Sequence, residues 1–119
     1  MLRKIDIVEV LVRDWPAAVR WYTETLCLKL IFQNGDDRWA MLSFADGGPT
    51  LALFGSDGVE PGGASRCLPD ILVDDLDAAM AELKAKGVEF RGEVRDGEGY
   101  RITTLVDPEG NELQIYERR

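Results

Sequence analysis

Two carboxylates and one amide are the side chains of this sequence best suited to chemistry. Glu9 and Asp70 lie 61 residues apart on predicted strands, and Gln114 lies between Leu113 and Ile115 near the end of the chain. A carboxylate in an apolar setting needs a cation or a hydrogen-bond donor beside it. Glu9 and Asp70 are therefore candidates for binding a cationic ligand or for general-base catalysis. Gln114 is a candidate metal ligand, a binding group for an organic molecule, or a packing residue.

Histidine is absent from the sequence. This excludes nucleophiles activated by histidine, such as Ser–His and Cys–His pairs, and it removes the commonest ligand of transition metals. The chain has 22 acidic and 14 basic residues and a net charge of −8. We expect no nucleic-acid partner, because phosphate binding needs clustered lysine and arginine.

The apolar segments of the chain are short. The N-terminal MLRKIDIVEVLV is interrupted by charges and lacks the apolar run of a signal peptide. No stretch approaches the roughly 20 apolar residues that span a bilayer. We therefore expect a cytoplasmic protein without a membrane partner. In that reducing compartment Cys27 and Cys67 are expected to be free thiols.

The order of predicted elements repeats once along the chain. Each half reads strand, helix and three further strands, and VRDWPAAV at 12–19 matches VDDLDAAM at 73–80 with a constant offset of 61 residues. The repeat predicts two βαβββ modules within one domain, 1–119: module 1 at 1–55, a linker at 56–66 and module 2 at 67–119.

Three segments resemble the vicinal oxygen chelate superfamily, which includes glyoxalase I, extradiol dioxygenases and bleomycin-resistance proteins. They are VRDWPAAVRWYTETLCLKL, VDDLDAAMAELKAKGVEF and DPEGNELQIYE. The resemblance implies an α+β fold in which the two tandem modules form a cup-shaped, incompletely closed mixed β-barrel with helices outside. It also implies a homodimer, with the cup formed within one chain or across two. Cys27 stands where the family often has glycine, so a less tightly turned helix end is expected.

Metal-using members of that superfamily hold the ion with four side chains on the inner strands. The resemblance places those positions at Ile7, Ala52, Leu68 and Gln114. Three of the four are aliphatic and offer no lone pair to a cation. We therefore expect no metal and no cofactor, and neither the glyoxalase nor the dioxygenase reaction, both of which depend on a metal.

Strand alternation predicts which side chains share the inner face of the cup. The predicted ligand-binding set is Ile7, Glu9, Trp39, Phe54, Leu68, Asp70, Gln114 and Tyr116. Other interpretations remain open. The two carboxylates could be solvated or paired with Arg38 or Arg101, and the aromatic residues could be packing residues.

Two arrangements would keep a metal. In one, an alternative register turns Asp6 and Cys67 inward instead of Ile7 and Leu68, at the cost of turning the alternate valines of the first strand into the cavity. In the other, the oxygens of Glu9, Asp70 and Gln114 alone hold a divalent ion.

Three functions follow as hypotheses. The first is a metal-free binding protein of the bleomycin-resistance type, which confers antibiotic resistance by sequestering a cationic or aromatic small molecule. The second is a divergent glyoxalase-like lyase or isomerase with Glu9 or Asp70 as general base. The third is an interaction or regulatory module whose cup has no ligand. The sequence leaves open whether the protein is an enzyme, because a fold does not determine a function.

Overall fold

Each half of the chain folds around one four-stranded sheet, as the repeat predicts. The structure is a computed structural model, which describes residues 5–62 and 68–119. Cys67 and residues 63–66 of the predicted linker lie outside the described residues. The chain divides into two compact units, Met1–Pro61 and Gly62–Arg119. The prediction of an α+β fold built from two βαβββ modules is confirmed.

The first unit follows the predicted order of elements. Asp14 caps its helix by accepting a hydrogen bond from the Ala17 N–H at 3.1 Å, and the helix continues as a π-helical turn. The sheet order is β1-β4-β3-β2, with β1 parallel to β4 and the other pairs antiparallel. The elements are β1 (Ile7–Val12), α1 (Trp15–Arg20), the π-helical turn (Trp21–Thr25), β2 (Lys29–Asn34), β3 (Trp39–Ser43) and β4 (Thr50–Gly55).

One face of the first sheet forms the core of this unit with α1. Val10 and Val12 of β1 are buried, as is Leu53 of β4, whose carbonyl accepts a hydrogen bond from Trp15 Nε1 at 3.1 Å. Ile7 and Leu11 alternate with these valines and are exposed on the other face. The alternative register, with Asp6 facing inward, is therefore not adopted.

Cys27 ends the helical segment in a left-handed conformation, with φ at 60°. The expected looser turn is wrong, since this backbone has the conformation that favours glycine. Cys27→Gly should therefore raise the free energy of unfolding by about 1 kcal/mol, because a Cβ in this region is strained. Urea unfolding measures the change. Cys27→Ala keeps the Cβ and should give no such gain, and equal stability of the two variants would contradict the strain argument.

The second unit repeats the plan with a shorter first strand, Asp70–Leu72, in place of the one predicted from residue 67. Asp75 caps its helix by accepting from the Ala78 N–H at 3.0 Å, and the sheet order is β5-β8-β7-β6. The register shifts between Arg91 and Arg95 of β6. The elements are β5 (Asp70–Leu72), α2 (Leu76–Ala85), β6 (Glu89–Gly97), β7 (Tyr100–Val106) and β8 (Glu112–Arg118).

The core of the second unit includes Leu76 of α2 and three residues of the sheet, Leu105, Leu113 and Ile115. Arg101 bonds the sheet to the helix, since its guanidinium donates to Asp77 and Glu117. The hydrogen bond to Asp77 is the main cause that raises the pKa of Arg101, and desolvation opposes it. No helix within the described ranges is long and apolar enough to cross a membrane.

Candidate ligand-binding site

The second sheet has one face turned away from its core, here called the open face. Asp70, Gln114 and Thr104 are direct neighbours across β5, β8 and β7 on this face. The next row crosses all four strands and contains Leu72, Tyr116, Ile102 and Arg95. Direct cross-strand neighbours project on the same side of a sheet, so these side chains lie together.

The Gln114 carboxamide joins an acid to a base. In the amide orientation that its partners assign, Nε2 donates to Asp70 Oδ1 at 2.7 Å and Oε1 accepts from Arg95 Nη2 at 2.9 Å. The reverse orientation would turn the amide nitrogen toward the guanidinium and the oxygen toward the carboxylate, so the partners fix the amide. Arg95 Nη2 also donates to Thr104 Oγ1 at 3.3 Å. This chain of hydrogen bonds holds four polar side chains across the sheet.

A pocket of about 730 Å³ lies over these residues. Two tyrosines and one isoleucine supply its apolar lining, and three arginines and one aspartate supply its charges. Arg118 lies against Tyr116, with Nη2 3.3 Å from the phenol oxygen and Cζ 5.9 Å from the ring centre. The lining residues are Asp70, Arg95, Gly99, Tyr100, Ile102, Gln114, Tyr116, Arg118 and Arg119.

The open face of the first sheet, opposite its core, has a different character. Glu9 lies opposite Ala52, and Leu11 lies opposite Phe54. The Phe54 ring meets Trp39 edge to face, with the ring centres 5.7 Å apart. The Glu9 carboxylate has neither a hydrogen bond nor an ion pair to any residue that the structure describes. This face is mainly apolar, with one acidic group.

The predicted binding residues therefore fall into two groups. Ile7, Glu9, Trp39 and Phe54 belong to the first sheet, while Asp70, Gln114 and Tyr116 line the pocket of the second. Leu68 is exposed ahead of β5 and is not among the lining residues. The suggested pairing of the carboxylates with Arg38 or Arg101 is wrong, because Arg38 pairs with Asp57 at 2.9 Å and Arg101 with Asp77 and Glu117.

The sequence-based prediction named none of the three arginines that line the pocket. Arg118 could have been predicted from the sequence, because it continues the alternation of Gln114 and Tyr116 along β8. Arg95 could not have been predicted in this way, because the register of β6 shifts just before it and alternation does not continue across the irregularity. Gly99 and Tyr100 lie where β6 gives way to β7, and no sequence pattern marked either of them as a binding residue.

The residues present do not fit a metal ion. Ile7, Ala52 and Leu68 have aliphatic side chains, and the oxygen of Gln114 already accepts from the Arg95 guanidinium. A fixed positive charge at that distance opposes a second cation. In residues 5–62 and 68–119 no group of three or more His, Cys, Asp or Glu side chains could hold an ion. No metal-dependent step is therefore assigned to these residues.

A family model described as the Glyoxalase/Bleomycin resistance protein/Dioxygenase superfamily matches residues 4–115. Among curated proteins, the chain is similar to the uncharacterized protein YwbC of Bacillus subtilis (strain 168). The identity is 27% over 126 residues, which covers 99% of this chain and 100% of YwbC.

Two solved structures share both the fold and part of the sequence. One is a member of the same superfamily from Sphaerobacter thermophilus, with a TM-score of 0.84, 26% identity and 98% of each chain covered. The other is TnmS3, an antibiotic binding protein from Streptomyces sp. CB03234, with a TM-score of 0.83 and 27% identity. That alignment covers 99% of this chain and 98% of TnmS3.

Proposed function

Since this chain belongs to the glyoxalase/bleomycin resistance protein/dioxygenase superfamily, as the match over residues 4–115 shows, we propose that it binds a small aromatic molecule without a metal. The pocket on the open face of the second sheet carries this proposal. Its volume of about 730 Å³ lies within the usual range for small-molecule sites, roughly 300–1,000 Å³. Tyr100, Tyr116 and Ile102 offer an apolar surface, and the polar side chains beside them can orient a ligand.

Antibiotic binding is the form of this function that the similarity to TnmS3 favours. TnmS3 is an antibiotic binding protein, and it is similar to this chain over nearly its whole length. Sequestration requires affinity but no catalytic step. A site in which the Gln114 amide is held between an acid and a base suits such binding. We propose that the protein acts in the cytoplasm and protects its host by binding such a compound.

A homodimer is the assembly we propose. Large apolar side chains are exposed on the open face of the first sheet, among them Ile7, Leu11 and Phe54 at 38%, 44% and 38%. Apolar surface of this kind is typical of a ligand-binding or subunit contact. A monomeric mass in solution, measured by light scattering, would contradict the dimer.

A cationic ligand, the first of the two predicted ligand types, does not fit this pocket. Asp70 accepts a hydrogen bond from Gln114, and the three arginines of the lining outnumber it. A cation entering this pocket would meet a net positive charge. An aromatic ligand, the second predicted type, fits the two tyrosines.

Asp70 favours a second candidate function, that of a glyoxalase-like lyase or isomerase. It is a carboxylate on the wall of the pocket and therefore within reach of a bound molecule. Glu9 belongs to the other sheet and is not among the lining residues. If a turnover is found, it should be lost in Asp70→Asn, and turnover that survives this substitution would contradict general-base catalysis.

Calorimetric titration with 2-naphthalenemethanol, a neutral bicyclic aromatic probe, tests the binding function. We expect saturable binding at about 1 mM or tighter. In Tyr116→Ala the affinity should fall roughly fivefold, since an aromatic contact contributes about 1 kcal/mol. Phe32→Ala is the matched control, because Phe32 is an exposed aromatic residue outside the pocket. Equal losses in both variants, or no binding of any bicyclic aromatic probe to the unmodified protein, would contradict the proposal.

A further inference from the structure

The arginines from residue 91 to the end of the chain divide into paired and unpaired groups. Five arginines lie between residues 91 and 119. Arg91 pairs with Glu112 at 3.5 Å, Arg101 pairs with three carboxylates, and Arg119 lies 3.7 Å from Asp96. Arg95 and Arg118 have no carboxylate within 4.0 Å among the described residues. In a chain with a net charge of −8, the two exceptions both lie on the wall of one pocket.

Arg95 is positioned without being neutralised. Its Nη2 donates to Gln114 Oε1 at 2.9 Å and to Thr104 Oγ1 at 3.3 Å, and both acceptors are uncharged. The remaining N–H groups of the guanidinium have no partner among the residues that the structure describes. A guanidinium held at one nitrogen presents a planar pair of donors to an incoming group.

Arg118 has the same property in a different setting. Its Nη2 lies 3.3 Å from the Tyr116 phenol oxygen, and its guanidinium carbon lies 5.9 Å from the ring centre. Neither contact removes the positive charge. The ring and the cation together form a surface that suits a molecule with an apolar body and an anionic group.

The charges of the whole pocket lining also favour an anionic ligand. The lining side chains, three arginines and one aspartate, give a formal charge of +2 (3 − 1), although the chain as a whole is strongly acidic. Of the three arginines, Arg119 is the one with a carboxylate partner in the described part of the chain, Asp96. The Gln114 amide already donates to the single carboxylate, Asp70. The concave wall therefore raises the local concentration of anions.

We propose that this pocket selects aromatic acids, and that Arg95 and Arg118 bind the carboxylate of the ligand while Tyr100, Tyr116 and Ile102 contact its body. This inference rests on the proposed function, because it names the chemical class of the ligand at the same site. It differs from that function in requiring a negative charge on the ligand.

Three probes that share one ring system test the charge separately from the shape. They are 2-naphthoate, 2-naphthalenemethanol and 2-naphthylmethylammonium, titrated calorimetrically at neutral pH and low ionic strength. We expect the anion to bind about tenfold more tightly than the alcohol, and the cation to bind most weakly. The preference for the anion should shrink as salt is added, because these arginines are in contact with solvent.

Charge-removing variants assign the preference to residues. In Arg95→Gln and in Arg118→Gln the ratio of anion to alcohol affinity should fall roughly threefold or more. Arg91→Gln is the matched control, because it removes an arginine of the same sheet that is paired and does not line the pocket. There the ratio should stay near that of the unmodified protein. Arg118 keeps the test valid if Arg95→Gln fails to fold.

The outcomes separate the two proposals. Equal binding of anion and alcohol, or tightest binding of the cation, would overturn the acid-selective pocket and leave the binding function intact. A ratio that falls equally in Arg91→Gln and Arg118→Gln would also overturn it. If none of the three probes binds at about 1 mM, the binding function fails together with the inference that rests on it.

Discussion

Asp107→Ala should lower the free energy of unfolding by about 3 kcal/mol, since three hydrogen bonds to a buried carboxylate are lost together. Asp107 Oδ1 accepts from the N–H groups of Glu109 and Asn111 at 2.9 and 2.8 Å, and Oδ2 accepts from Asn111 Nδ2 at 2.9 Å. The residue is only 5% exposed, so water cannot fully replace the lost acceptor. The midpoint of urea unfolding and its slope give the change directly.

Asp107→Asn is the matched control for that prediction. It keeps one acceptor oxygen for the two backbone N–H groups but turns a donor toward the Asn111 amide. We expect it to cost about half as much as alanine. A loss below about 0.5 kcal/mol in Asp107→Ala would contradict the role of this carboxylate in closing the turn.

The same turn links stability to the binding site. It joins β7 to β8, and those strands carry Thr104, Ile102, Gln114 and Tyr116 in adjoining rows. A one-residue slip between the two strands would turn these side chains to the opposite face. The DPEGN segment, which the sequence marks only as a turn, is therefore also what sets the register of the pocket wall.

The repeat made the fold predictable. An aspartate precedes each helix and caps it, and the modules follow the same order of elements. Such local signals can be recognised in a single sequence, because capping and alternation depend on only a few neighbouring residues. The prediction failed where the backbone departs from regular geometry, as at Cys27 and at the shift before Arg95.

The candidate site was less predictable because a repeat preserves positions but not surroundings. Glu9 and Asp70 occupy equivalent places in the sequence repeat, yet Glu9 lies opposite the methyl group of Ala52 and Asp70 lies opposite the amide of Gln114. Equal spacing suggested one paired acidic site. The neighbour on the adjacent strand decides whether each carboxylate has a hydrogen-bond donor beside it, and the 61-residue offset carries no information about that neighbour.

Gln114→Glu should reverse the charge preference of the pocket, and we expect the affinity for 2-naphthoate to fall by about 2 kcal/mol, or roughly 30-fold. A carboxylate at this position would lie where the amide now accepts from Arg95 at 2.9 Å, and so would neutralise that guanidinium. It would also lie beside Asp70, which now receives a hydrogen bond at 2.7 Å. Calorimetric titration with 2-naphthoate and with the alcohol measures the change in the ratio.

Gln114→Met separates the added charge from the lost hydrogen bonds, because methionine has a similar size and is neutral. Without the amide between them, Asp70 and Arg95 can approach each other, so a smaller loss of anion affinity, about fivefold, is expected. Only an uncharged group with both a donor and an acceptor serves the acid and the base at once and leaves the guanidinium cationic. If the glutamate and methionine variants bind 2-naphthoate as tightly as the unmodified protein, Gln114 does not control the charge of the pocket.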